Sequence, residues 1–264
     1  MQKGSLITVP LAFFVASLSP VGCLGQTPSP PASSSPGGSP SAGAGDGLPR
    51  FGIALSAGTL GAGIQAATAV AHKSNLRFGV NYFSYSGSVT RSSDNITFNG
   101  KLRLESAELL FDQYIVSGLH VSGGMMVYDG NQGNASASVP AGQTMTLNDV
   151  MYYSSASNPV TGTGSIASRK YAPEVLIGLG NLLPRSSRHF SANFEVGVAF
   201  QGSPNATLNL TGSACVNGAV TGCSPVNSNS SIQANILGEQ NKINNALAPF
   251  KYYPVLRVSF GYKF

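Results

Sequence analysis

Tryptophan is absent, and charged side chains make up only 9% of the 264 residues. An average soluble domain carries about 25%, so a surface built mainly from charge is excluded. The net charge of +5 is small and scattered, and the lack of a basic stripe excludes a nucleic-acid-binding face. Past the N-terminus there is no run of about 18 apolar residues, so no membrane-crossing helix is available. Cysteines and histidines number three each. With no CxxC pair and no phosphate-loop glycine pattern, zinc and nucleotide sites have no motif to stand on. Neither a metal nor a cofactor is expected. Glycine is abundant instead, at 32 residues, in the company of many Ser and Asn. Low charge, small polar residues and no spanning helix suit a chain that crosses a membrane with strands.

Residues 1–25 read as a secretory signal. Lys3 supplies the positive start, residues 6–18 (LITVPLAFFVASL) the apolar core, and Gly25 a small residue before Gln26. A rival reading makes Cys23 the acylated residue of a lipoprotein box, although Pro20 stands where such boxes prefer Leu. Residues 26–49 are Pro, Ser, Gly and Ala with almost nothing to bury. Such a segment is expected to be a flexible linker. Residues 50–264 are left to form the folded domain.

The sharpest strand is the last. Leu256, Val258, Phe260, Tyr262 and Phe264 alternate with Arg257, Ser259, Gly261 and Lys263. Alternate side chains of a strand point to opposite faces, so one face is continuously greasy. Residues 76–85 and 189–201 repeat the pattern, the latter with Phe194, Val196 and Val198 against His189, Asn193 and Glu195. Residues 51–66 alternate with a slip at Gly58, read either as a bulge or as a division into two strands. Residues 101–111 set Leu102 and Leu104 against Lys101, Arg103 and Glu105, with a further slip near Glu108. Residues 119–127 and 171–179 complete the set. Residues 129–168 form a long polar region with short β-like pieces at 143–147 and 150–153. Residues 206–210 are a shorter candidate strand.

Cys215 and Cys223 bracket a small polar loop. In an exported chain, two cysteines this close are expected to form a disulfide. Residues 231–247 have helical spacing, with Ile232, Ile236, Ile243 and Leu247 on one face and Pro249 as a stop. The helix either covers a rim of the fold or acts as a plug. The count is seven or eight strands, each long enough to span a bilayer when tilted. Even numbers are the rule, so eight is expected, the eighth being either 206–210 or the product of dividing the first strand. The predicted fold is all-β: a transmembrane antiparallel up-and-down barrel with one short helix before the last strand.

With its signal, its alternating strands and its ending Tyr262-Lys263-Phe264, the chain resembles Gram-negative outer-membrane β-barrel proteins of the small eight-stranded class. The Gly-rich first strand, NYFSYS and the helix before the last strand also resemble barrel proteins of Acidobacteria-like bacteria. The resemblance implies residence in the outer membrane and contact with its lipid. It also implies that Phe260, Tyr262 and Phe264 form the C-terminal signal read by the barrel-assembly machinery. It says nothing of activity.

Arg77, Lys101, Arg103, Glu105, His120, Glu174, His189, Glu195 and Arg257 are assigned to the lumen. An eight-stranded barrel is just wide enough to be filled by side chains, and buried charges must pair. A structural charge network is therefore expected, in a barrel that acts through its polar loops on a partner outside or in the periplasm. A narrow small-solute conduit is the alternative. A lipid-modifying enzyme built on His120, Ser122 and Glu105 is a third reading, without diagnostic spacing. No catalytic residue is assigned.

Overall fold

The structure, a computed structural model, describes residues 50–91, 96–116, 118–184, 187–218 and 221–264. The expected signal, Cys23, the linker and most of the turn at 91–95 lie outside the described residues. In chain order the first strands are β1 (Phe51–Gly58), β2 (Gly61–Ala71), β3 (Ser74–Arg91), β4 (Ile96–Val116) and β5 (Leu119–Asp129). Then come β6 (Gln132–Ser138), β7 (Thr144–Leu147), β8 (Val150–Ser154), β9 (Thr161–Ala167) and β10 (Ala172–Gly180). The remainder are β11 (Phe190–Ala199), β12 (Asn205–Thr211), β13 (Ser213–Asn217), β14 (Thr221–Pro225), α1 (Ser230–Leu247) and β15 (Tyr253–Lys263).

Every pairing is antiparallel. The ring runs β4-β3-β2-β1-β15-β11-β10-β5, and β5 returns to β4 to close it. Eight strands therefore make the barrel. The eighth comes from dividing the first strand: β1 and β2 are a hairpin turned at Thr59 and Leu60. Gly61 enters β2 at φ 103°, and a side chain there would collide with Tyr82 and Phe83. Leu60 is not in the outward run of β2; it folds into the barrel mouth and is buried.

One end of the ring carries only short connections, between β2 and β3, β4 and β5, and β10 and β11, together with Phe51 and Phe264. From the other end the strands keep going. β6 continues β5 along the same edge of β4, β9 runs into β10, and β11 runs on into β12. With the upper parts of β3 and β4 they form a five-stranded wall, β3-β4-β6-β9-β12, standing above one side of the barrel. β15, β1 and β2 stop at the rim.

The wall's inner side is covered by a second, four-stranded sheet, β14-β13-β8-β7, and by α1. Ile96, Val160, Val226, Ile232 and Ile236 are buried in this upper core. Asn229 caps α1 by accepting from the amides of Ser231 and Ile232, the expected role of Asn there. The helix is the one the spacing predicts, and it covers the wall rather than plugging the ring. It also protects the edge strand β12: Asn244 accepts from the Ala206 amide at 2.8 Å and Gln240 from the Leu208 amide at 3.2 Å. An unprotected edge invites pairing with another chain. The β7–β8 turn uses Asn148 and Asp149, both at positive φ, as a two-residue hairpin requires. Glu239 of α1 holds that turn through the Asn148 amide. Cys215 and Cys223 are joined in a disulfide across β13 and β14.

Candidate functional site

Within the ring the strand alternation is strict. On β15, Leu256, Val258, Phe260, Tyr262 and Phe264 face outward, while Arg257, Ser259 and Lys263 are buried inside. Two aromatic belts bound the outer face. Phe51, Phe264, Tyr262 and Phe190 meet at the short-turn end, with ring centroids 5.2 to 6.0 Å apart. Tyr82, Tyr128, Tyr171, Phe200 and Tyr252 stand exposed near the opposite end; the last two are in edge contact at 5.7 Å. From Phe190 to Phe200 is about 33 Å of strand, or roughly 25 Å when tilted by about 40°. That height equals the apolar band of an outer-membrane barrel.

The lumen holds three layers. At its centre Arg77 donates to both carboxylate oxygens of Glu195, to Asp112 at 3.0 Å and to Gln65 at 3.3 Å. Arg257 donates to Glu108 at 2.5 Å and to Glu195 at 3.4 Å, and its nearer distance to Glu174 is 3.9 Å. His120 Nε2 lies 3.3 Å from Glu195. All these groups are buried. Gly79 and Gly178 make room for them: a Cβ at Gly79 would lie 2.6 Å from Glu108, and one at Gly178 would strike the His120 ring. Toward the long-strand end Leu60, Leu110, Met126, Leu176 and Val255 close the lumen. Toward the short-turn end Leu183 fills it against Ala67 and Ala69.

Arg77, Glu174, Glu195 and Arg257 are thus brought together, and the sequence missed Glu108 and Asp112, which share the layer. Both lie inward on β4 because β3 and β4 pair without a slip from Ser74↔Gln113 to Arg91↔Ile96. The irregularity falls instead on β5, where Ala107 faces Tyr128 and Glu108 faces Met126. With no slip in β4, the expected inward placement of Lys101, Arg103 and Glu105 is corrected. They lie on the outward face above the rim, where Arg103 and Glu105 are 3.6 Å apart and half-exposed. His189 also leaves the lumen: it sits exposed at the short-turn rim, bonded to the Lys263 carbonyl at 2.9 Å and stacked on Tyr262.

No serine–histidine arrangement forms around His120. Ser122 gives its proton to Asp112 at 2.7 Å, while His120 turns to Glu195. Asp112, His120 and Glu195 stand close enough to hold a metal ion. The Arg77 guanidinium already occupies the space between the two carboxylates, so the donor set does not fit a cation.

Above the rim the two faces exchange character. On β3 the outward positions run Leu76, Phe78, Val80 and Tyr82, then Ser84, Ser86, Ser88 and Thr90. Register carries the change across all five strands of the wall. One row reads Ser86, Lys101, Asn134, Ser165 and Thr207; the next reads Ser88, Asn99, Ser136, Thr163 and Asn209. Above them stand Thr90, Thr97, Ser138, Thr161 and Thr211; below stand Ser84, Arg103, Gln132, Ala167 and Asn205. The inner face opposite these rows is apolar or small, with Tyr85, Leu102, Ala137, Leu208 and Leu210.

The fold and the two belts define a transmembrane antiparallel β-barrel of eight strands. The same fold is found in two Acinetobacter baumannii proteins, CarO2 and CarO. The CarO2 crystal structure has 19% identity and a TM-score of 0.52, covering 83% of this chain and 100% of the other. The CarO structure has 21% identity and a TM-score of 0.50, covering 81% and 97%. No protein-family model and no curated protein matches the chain.

Proposed function

We propose that the protein is an integral outer-membrane barrel whose interior is closed and whose work is done by the sheet it raises above the membrane. The observation that carries this is the reversal of polarity in mid-strand. Outward side chains are apolar over one bilayer height and hydroxyl or amide beyond it, as a wall leaving lipid for water requires. Outer-membrane barrels put short turns in the periplasm and long segments outside. The wall, α1 and the small sheet are then extracellular, and Phe264 is periplasmic. In this reading Phe260, Tyr262 and Phe264 serve the barrel-assembly machinery, and export precedes insertion.

The role is structural or interactive, with no chemical step. Leu60 and Leu183 stop the lumen at its two ends, and paired charges fill its middle, which supports a barrel that holds a platform rather than a pore. Fractionation and heat-modifiable migration on unboiled gels test membrane insertion; recovery in the soluble periplasm would overturn it. Conductance in planar bilayers tests closure: no steady open level is expected, and a steady one would sink the closed-barrel reading.

A further inference from the structure

We propose that the outward hydroxyl and amide face of the raised wall binds the sugar headgroup of the outer-leaflet glycolipid surrounding the barrel. The inference rests on the membrane reading above. The face continues the lipid-facing band on the same strands: Val80 and Tyr82 pass to Ser84 and Ser86 with pairing to β4 unbroken. A glycolipid whose acyl chains lie against the first pair sets its sugars against the second. The middle of the face is a groove of about 750 Å³ lined from all five strands, among them by Ser88, Asn99, Lys101, Ser136 and Thr163.

Its chemistry selects sugars. Hydroxyls and amides both donate and accept, so they exchange water for sugar hydroxyls without burying a charge. The four rows contain no carboxylate, and Ala167 is their one apolar member. Their only cations, Lys101 and Arg103, stand in the two rows nearest the lipid. There they meet the phosphates of the innermost sugars, which guanidinium and ammonium groups hold well. A protein partner fits poorly, because protein interfaces centre on aromatic anchors and these rows have none. From Ser84 to Thr90 is about 20 Å and four strand spacings span about 19 Å, the footprint of an oligosaccharide.

The test uses the mature barrel in detergent, with three probes: rough-type lipopolysaccharide, lipid A lacking core sugars, and the free core oligosaccharide. Intact glycolipid and free core are expected to bind, and lipid A at least tenfold more weakly. The pair Asn134→Leu and Ser136→Leu should weaken core binding at least tenfold, while Ser228→Leu on the small sheet's border leaves it unchanged. Heat-modifiable migration confirms that each variant folds. Equal binding of lipid A, no binding of free core, or wild-type affinity in the paired variant would overturn the proposal. Equal binding of dextran would overturn it too, by showing a general glycan surface. Failure to insert into membranes would sink the membrane reading; an inserted barrel that ignores the core sugars would sink this inference alone.

Discussion

The lower and upper halves of the same strands solve opposite problems. Below the rim the strands face lipid outside and hold charge inside; above it they face water outside and hold Ile96, Val160 and Val226 inside. Backbone and register are continuous through the change. Only the side chains know where the membrane ends. Polarity on a strand is therefore a reading of the solvent on each face, and a single strand crossing two solvents carries both codes.

Experiments that upset one half and spare the other sharpen the comparison. The largest effect is expected in the lumen. Glu195→Ala leaves Arg77 buried beside one carboxylate fewer, a loss of about 3–5 kcal/mol for breaking a buried pair. Urea titration of folding into micelles would show it as an early midpoint. Next comes Val196→Arg on the lipid face, about 2–4 kcal/mol at mid-bilayer. The same charge at Thr163, on the outward face above the rim, is expected to cost under about 0.5 kcal/mol. Equal costs would mean that the two outer faces meet the same solvent. Third, Asn244→Ala strips the β12 edge of its Ala206 acceptor, about 1 kcal/mol for a lost hydrogen bond. Limited proteolysis should then open the wall while the barrel still migrates as a folded band.

The smallest effect is expected at Glu174→Gln. Both carboxylate oxygens of Glu174 are buried without a hydrogen-bond partner, so removing the charge costs little and relieves desolvation. A midpoint equal to or above wild type is the expected result. A drop as large as that of Glu195→Ala would show that the Arg257 contact at 3.9 Å carries the layer.

The barrel staves were legible wherever apolar and polar residues contrast, as in β10, β11 and β15. β6 and β9 were not, because Gly133, Ala135, Gly162 and Gly164 give their inner faces too little bulk to register as a core side. The placement of Lys101 and Arg103 failed for the converse reason. A rule that sends charge to the lumen holds only below the rim, and these two residues stand above it. Leu60 looked like one more outward residue because alternation does not show a tight turn folding its tip inward. Glu108 and Asp112 became visible only with the continuous β3–β4 register. The last strand, the helix limits and the Cys215–Cys223 pair needed no such correction.

The central claim is that the membrane boundary falls between Tyr82 and Ser84. Single cysteines at Phe78, Val80, Ser84, Ser86 and Ser88, placed in the mature chain with its disulfide oxidised and reconstituted in liposomes, test it through a membrane-impermeant thiol reagent. The account requires labelling at Ser84, Ser86 and Ser88 and protection at Phe78 and Val80. Uniform labelling along β3, or protection reaching to Ser88, would contradict it.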